Sequence, residues 1–152
     1  MDTENLLKSL NAHKVEYVII GATAFPIHGY SRATLDIDIF IRPTGTNAQK
    51  VWQALKDFGY DMSDISLPEI LSKKILIRQY IVETDVHPFV KGVTFDEVWE
   101  NKVRGKIRET PAYFSSLGDL IKMKKAAGRE RDKEDLKILL KLRDRFYPKE
   151  KF

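Results

Sequence analysis

The segment Leu35-Asp36-Ile37-Asp38-Ile39-Phe40-Ile41 constrains this 152-residue chain more than any other. Side chains alternate across a strand, so Leu35, Ile37, Ile39 and Ile41 share one face, and Asp36, Asp38 and Phe40 the other. At roughly 3.3 Å per residue the two carboxylates stand about 7 Å apart. Two acids in an otherwise apolar strand repel each other and are costly to desolvate. An edge strand with a solvated face would carry them at no cost; in a buried strand a divalent cation would offset both penalties. The apolar partner face and Phe40 beside the acids favour the cation. Carboxylate oxygens with no thiol nearby suit Mg²⁺ or Mn²⁺, ions that also bridge nucleotide phosphates.

A second acid-bearing strand is Ile81-Val82-Glu83-Thr84-Asp85-Val86-His87, whose alternation groups Glu83, Asp85 and His87. Laid beside the first strand, Asp85 completes a set of three carboxylates able to hold two ions about 4 Å apart, as in-line phosphoryl transfer uses them. Glu83 and His87 are neighbours or competitors for that role. Upstream, Gly21-Ala22-Thr23 follows a buried strand, Tyr17 to Ile20, and opens a short helix, Ala22 to His28. Free N–H groups at such a start form a nest for phosphate, and Thr23 adds a hydroxyl. Arg32 and Thr34 lie just ahead of the acids, with Arg32 placed to bind phosphate bidentately or to pair with Asp36. His28 reads as structural.

The remaining periodicity predicts an α/β (α+β) fold: a mixed sheet flanked by helices, closed by a C-terminal helical pair. Thr3 is expected to cap a first helix carrying Leu6, Leu7 and Leu10, and Thr46 or Asn47 a second ending at Gly59. Residues 60–73 read as a loop with one helical turn, and Lys74 to Gln79 as a strand. Thr94 with Glu97 has capping-box spacing, and Val103 to Arg108 and Ala112 to Phe114 read as short edge strands. Ser116 opens a helix closed by Gly128; Asp132 and Asp135 start a last one, with Leu136, Ile138, Leu139, Leu140 and Leu142 inward, stopped by Pro148. One domain, residues 1–152, is expected, with an α/β core to about 115 and the helical pair over about 116–147. Trp52 and Trp99 read as core or interface residues.

The absence of cysteine excludes disulfides, thiolate metal sites and cysteine nucleophiles. No apolar run is long enough for a membrane span and the first 15 residues are too charged for a signal peptide, so a cytoplasmic protein is expected. Residues 1–117 hold 14 basic and 15 acidic side chains, whereas residues 118–152 hold 12 and 7. A basic tail on a near-neutral body points to a polyanionic ligand. Within it Leu117, Leu120, Ile121 and Lys124 share one helical stripe, so Lys124 either snorkels to solvent or reaches toward negative charge. Arg129, at the helix junction after Gly128, is placed to act similarly, and Asp132 and Asp135, read first as helix-start residues, are also candidates for an ion pair with Lys124 or Arg129.

The run Gly21-Ala22 … Gly29-Tyr30-Ser31-Arg32-Ala33-Thr34-Leu35-Asp36-Ile37-Asp38 resembles the signature of the DNA polymerase beta-like nucleotidyltransferase superfamily. Its form is most similar to small bacterial nucleotidyltransferases related to AbiEii-type toxins. Thr84-Asp85-Val86-His87 fits the third-acid strand, and Lys124 … Gly128-Arg129 … Asp132 … Asp135 the C-terminal segment of that family. The resemblance implies transfer of a nucleoside monophosphate from an NTP to a hydroxyl, with two Mg²⁺ or Mn²⁺ ions held by Asp36, Asp38 and Asp85. It further implies phosphate contacts from Gly21, Ala22, Thr23, Arg32, Thr34, Lys124 and Arg129. The acceptor classes left open are RNA or tRNA, a protein hydroxyl or a small molecule such as an aminoglycoside, with the basic tail mildly favouring RNA, and an antitoxin is a candidate partner. The chain departs from the pattern at Ala22, where the family carries Gly or Ser. If that position needs positive φ or a hydroxyl, the chain is instead a non-catalytic nucleotide- or RNA-binding module of the same fold.

Overall fold

The computed structural model describes residues 2–79 and 82–147. Their core is a six-stranded mixed sheet in the order β3-β4-β2-β1-β6-β5. The strands are β1 (Tyr17–Ile20), β2 (Asp36–Ile41), β3 (Ile75–Ile77), β4 (Glu83–His87), β5 (Val103–Ile107) and β6 (Thr110–Phe114). The helices are α1 (Asp2–Ala12), α2 (Gly45–Phe58), α3 (Leu67–Ser72), α4 (Phe95–Glu100), α5 (Leu117–Ala127) and α6 (Asp132–Phe146). β2 pairs antiparallel with β1 and parallel with β4, so the acid-bearing strand is interior and the edge-strand alternative fails. Its odd-numbered isoleucines are buried, and Phe40, on the face of the acids, is buried edge-on against Phe95. The acids therefore occupy the one end of this face that the core leaves open.

Several local expectations are corrected. Leu35 lies outside β2 and is 89% exposed, because the strand begins at Asp36. Helix α1 starts at Asp2, which places Thr3 inside its first turn. The cap of α2 is Thr44, whose hydroxyl accepts from the Asn47 N–H. Asn47 is instead buried and joins β1 to α2: its side chain accepts from the Glu16 N–H and donates to the carbonyls of Glu16 and Arg42. The helix expected over 22–28 is two 3₁₀ turns, Gly21–Ala24 and Pro26–His28, since proline offers no N–H to continue one helix.

Within 60–73 the chain forms α3, started by a Ser66–Glu69 capping box that the loop reading overlooked. The strand expected from Lys74 shortens to Ile75–Ile77; the start of the next, Ile81, lies outside the described residues, as does Pro148. β6 is not an edge strand, since it pairs parallel with β1 through Ile19 and Phe114 and leaves β5 as the edge on that side of the sheet. The capping box at Thr94, the Ser116 cap and the Gly128 terminus stand as read. Of the five apolar residues expected inward on α6 only Leu139 is fully buried, and Leu136, Ile138, Leu140 and Leu142 are half-covered. No helix among the described residues is long and apolar enough to cross a membrane.

Candidate active site

Parallel pairing of β2 with β4 sets Asp38 opposite Asp85, Asp36 opposite Glu83 and Phe40 opposite His87. Opposed residues of neighbouring strands project from the same face about 5 Å apart, so register alone gathers the acids. One donor atom each from Asp38, Asp85 and His87 lies within 4.8 Å of the others. His87 Nε2 is 2.8 Å from Asp38 Oδ1, and Asp85 is buried. Asp36 lines the same cavity but stands outside that group of three, and its carboxylate accepts a hydrogen bond from the Thr34 hydroxyl. Thr34 and Thr23 also donate to the Asp36 carbonyl, tying the Gly21 turn to the start of β2.

The turn is pressed against the acids. Gly21 has φ +69°, and a Cβ there would lie 2.7 Å from Asp38 Oδ2, so both backbone conformation and space demand glycine. The positive φ falls on Gly21. Among the described non-glycine residues only Lys14 and Arg108 take a left-handed conformation, so Ala22 carries no backbone strain. The conformational reason for doubting the turn is thereby removed. His28 donates to, or accepts at, no group of the site; its Nε2 is bonded to the Ser115 carbonyl, a structural tie as expected.

A cavity of about 670 Å³ opens over the acids, with the Gly21 turn on one wall and α5 and α6 on the other. On the helical wall Lys124 Nζ lies 2.9 Å from Asp132 and 3.4 Å from Asp135. Arg129 is bonded to Asp132, and Arg32 forks onto both oxygens of Asp135, with Tyr30 donating to the same carboxylate. Burial works against ionising Asp132, yet hydrogen bonds from Arg129 and Lys124 hold its carboxyl well below the usual carboxylate range. Burial also opposes charge on Asp135, and the hydrogen bonds from Arg32 and Tyr30 with the Lys124 charge again prevail. Lys124, 14% exposed, is enclosed by this network, whereas Arg32 and Arg129 keep 41% and 51% of their side-chain surface open.

Sequence reasoning missed Arg78, which follows β3 and reaches Asp85 with Nη1 at 2.5 Å. Nothing near Arg78 in the sequence announces this; the antiparallel pairing of β3 with β4 brings it there. It also left the role of His87 open, although the alternation that grouped His87 with Asp85 was already visible.

A six-stranded mixed sheet flanked by helices and closed by the C-terminal helical pair is a nucleotidyltransferase-like fold. The sequence profile of a family described as nucleotidyltransferase of unknown function (DUF6036) matches residues 2–140, and the chain belongs to that family. No curated protein matches the chain.

Proposed function

We propose that the chain is a divalent-metal-dependent nucleotidyltransferase of the DNA polymerase beta-like kind, moving a nucleoside monophosphate from an NTP to an acceptor hydroxyl. The observation that carries this is the Asp38–Asp85–His87 group at the mouth of the cavity beside Gly21. The donor chemistry fits the ion: two carboxylates and an imidazole suit Mn²⁺, and carboxylates suit Mg²⁺. Asp38 and Asp85 would hold it with His87, and Asp36 would stand ready on the same strand face. Bound there, a divalent ion supplies charge neutralisation at the reacting phosphate and the leaving pyrophosphate.

The chain's own residues do the rest. The backbone of the Gly21–Ala22 turn, held to β2 by the bond from Thr23 to the Asp36 carbonyl, receives the triphosphate against the Asp38 side of the cavity. Arg32 and Arg129 turn their open guanidinium edges to the phosphates. The acceptor oxygen bonds to the α-phosphorus, the bond to the β-phosphate oxygen breaks, pyrophosphate leaves, and the hydroxyl proton passes to Asp85. Lys124 acts here through Asp132 and Asp135, keeping the helical wall in place.

The test is incubation with each α-labelled NTP and Mg²⁺ or Mn²⁺, offering total tRNA, protein lysate and aminoglycosides as acceptors. Label transfer by the wild type that is abolished in Asp38→Ala/Asp85→Ala is expected. Transfer that persists in the double variant, or its absence with every acceptor, overturns the proposal.

A further inference from the structure

The guanidinium of Arg78 faces three carboxylates at once. Beyond the Nη1 contact to Asp85, Nη2 lies 3.9 Å from Asp36 Oδ2 and Nε 3.8 Å from Glu83 Oε2. Asp85 is enclosed, with 8% of its side chain exposed, whereas Arg78 and Glu83 keep 41% and 44%. Following β3 in its antiparallel pairing with β4, Arg78 reaches Asp85 from the Glu83 end of β4. An incoming ion would thus meet, in Asp85, an enclosed carboxylate whose charge is already partly satisfied by the guanidinium bonded to its Oδ1.

We propose that Arg78 is a positioning residue, a built-in counter-ion that keeps Asp85 and Asp36 aligned and must yield Asp85 when a divalent cation binds. The inference rests on the metal-site reading above. A guanidinium N–H and a divalent ion compete for the same carboxylate electron density, so every metal-binding event without nucleotide carries the cost of breaking the Arg78–Asp85 bond. Glu83, opposite Asp36 in the register and already within reach of Nε, is the carboxylate onto which the displaced guanidinium shifts. This gives Glu83 a role that strand alternation alone left open. It also makes metal entry favour the nucleotide-bound chain, where phosphates add ligands that a bare ion lacks.

Mn²⁺ binding to the nucleotide-free protein tests this, by titration calorimetry and by electron paramagnetic resonance of the free ion. Arg78→Gln should bind Mn²⁺ about tenfold more tightly than wild type, equivalent to about 1.4 kcal/mol and the size of one charge-assisted hydrogen bond. Unchanged or weaker binding in Arg78→Gln overturns the proposal. Asp38→Ala/Asp85→Ala should lose the site; if it binds as well as wild type, the metal-site reading falls and the proposal with it. Should Arg78→Gln fail to fold, wild-type crystals soaked in MnCl₂ decide: an ion on Asp85 with Arg78 turned toward Glu83 supports the exchange. An ion on Asp85 with Nη1 still bonded to Oδ1 refutes it.

Discussion

Replacing Lys124 by methionine separates a structural lysine from a phosphate-binding one. The side chain is enclosed between Asp132 and Asp135, themselves 3% and 5% exposed. Stripping one partner from a buried ion pair costs about 3–5 kcal/mol because an uncompensated charge stays behind. Here Asp132 keeps Arg129 and Asp135 keeps Arg32 and Tyr30, so the loss is smaller, about 2–3 kcal/mol at pH 7. For a chain of this length that lowers the melting temperature by about 5–10 °C. The Lys124 ammonium also stands 5.6 Å from the Phe25 ring centroid, and methionine keeps a side chain of similar length beside that ring without the charge, so the loss is electrostatic in origin.

The pH dependence follows with a definite sign. Both carboxyls are held below their ordinary value of 3.8 in the folded chain. Their stabilisation is therefore complete above that value and disappears as pH falls through the depressed folded values. Urea denaturation of wild type and Lys124→Met at pH 7, 5, 4 and 3 should show a gap that is constant down to about pH 4 and begins to narrow at pH 3. A gap below 0.5 kcal/mol at pH 7, or one that widens in acid, refutes the reasoning and returns Lys124 to direct phosphate contact.

Two further substitutions probe how the fold builds the site. Gly21→Ala places a methyl 2.7 Å from Asp38 Oδ2 and forces an L-residue into a left-handed conformation, costing about 1–2 kcal/mol. Thermal unfolding should fall modestly, while Mn²⁺ affinity, read by calorimetry, should fall at least about tenfold as Asp38 is pushed aside. Asn47→Ala removes one acceptor and two donor bonds at the β1–α2 corner, and about 2–3 kcal/mol of stability should be lost in urea denaturation with Mn²⁺ binding by the folded protein unchanged.

The site was legible in the sequence wherever local periodicity governs it. Strand alternation put Asp36 with Asp38 and Asp85 with His87, and the parallel register then set Asp38 opposite Asp85. Residues whose partners are distant in the chain were not legible. Arg32 was offered phosphate or Asp36 and took Asp135, 103 positions away. In the basic C-terminal segment the pairs of Lys124 and Arg129 with Asp132, only eight and three positions apart, were open to a sequence reading, whereas the place of Lys122 by Glu97 was not. Composition sums charge without knowing which acid each cation meets.

Sequence alone determined the face on which the acids stand and the glycine behind them, because a period of two and the sterics of one residue are local properties. It also determined helix limits where caps such as Thr94 and Ser116 bond within their own first turn. Tertiary structure decided which acids meet. Strand order brings Asp85 and His87 to Asp38 and leaves Asp36 outside that group of three, with Arg78 reaching in from β3. The physical reason is that strand order and register are set by burial of the whole sheet, whereas the ion pairs at its end are settled only after distant segments have been packed side by side.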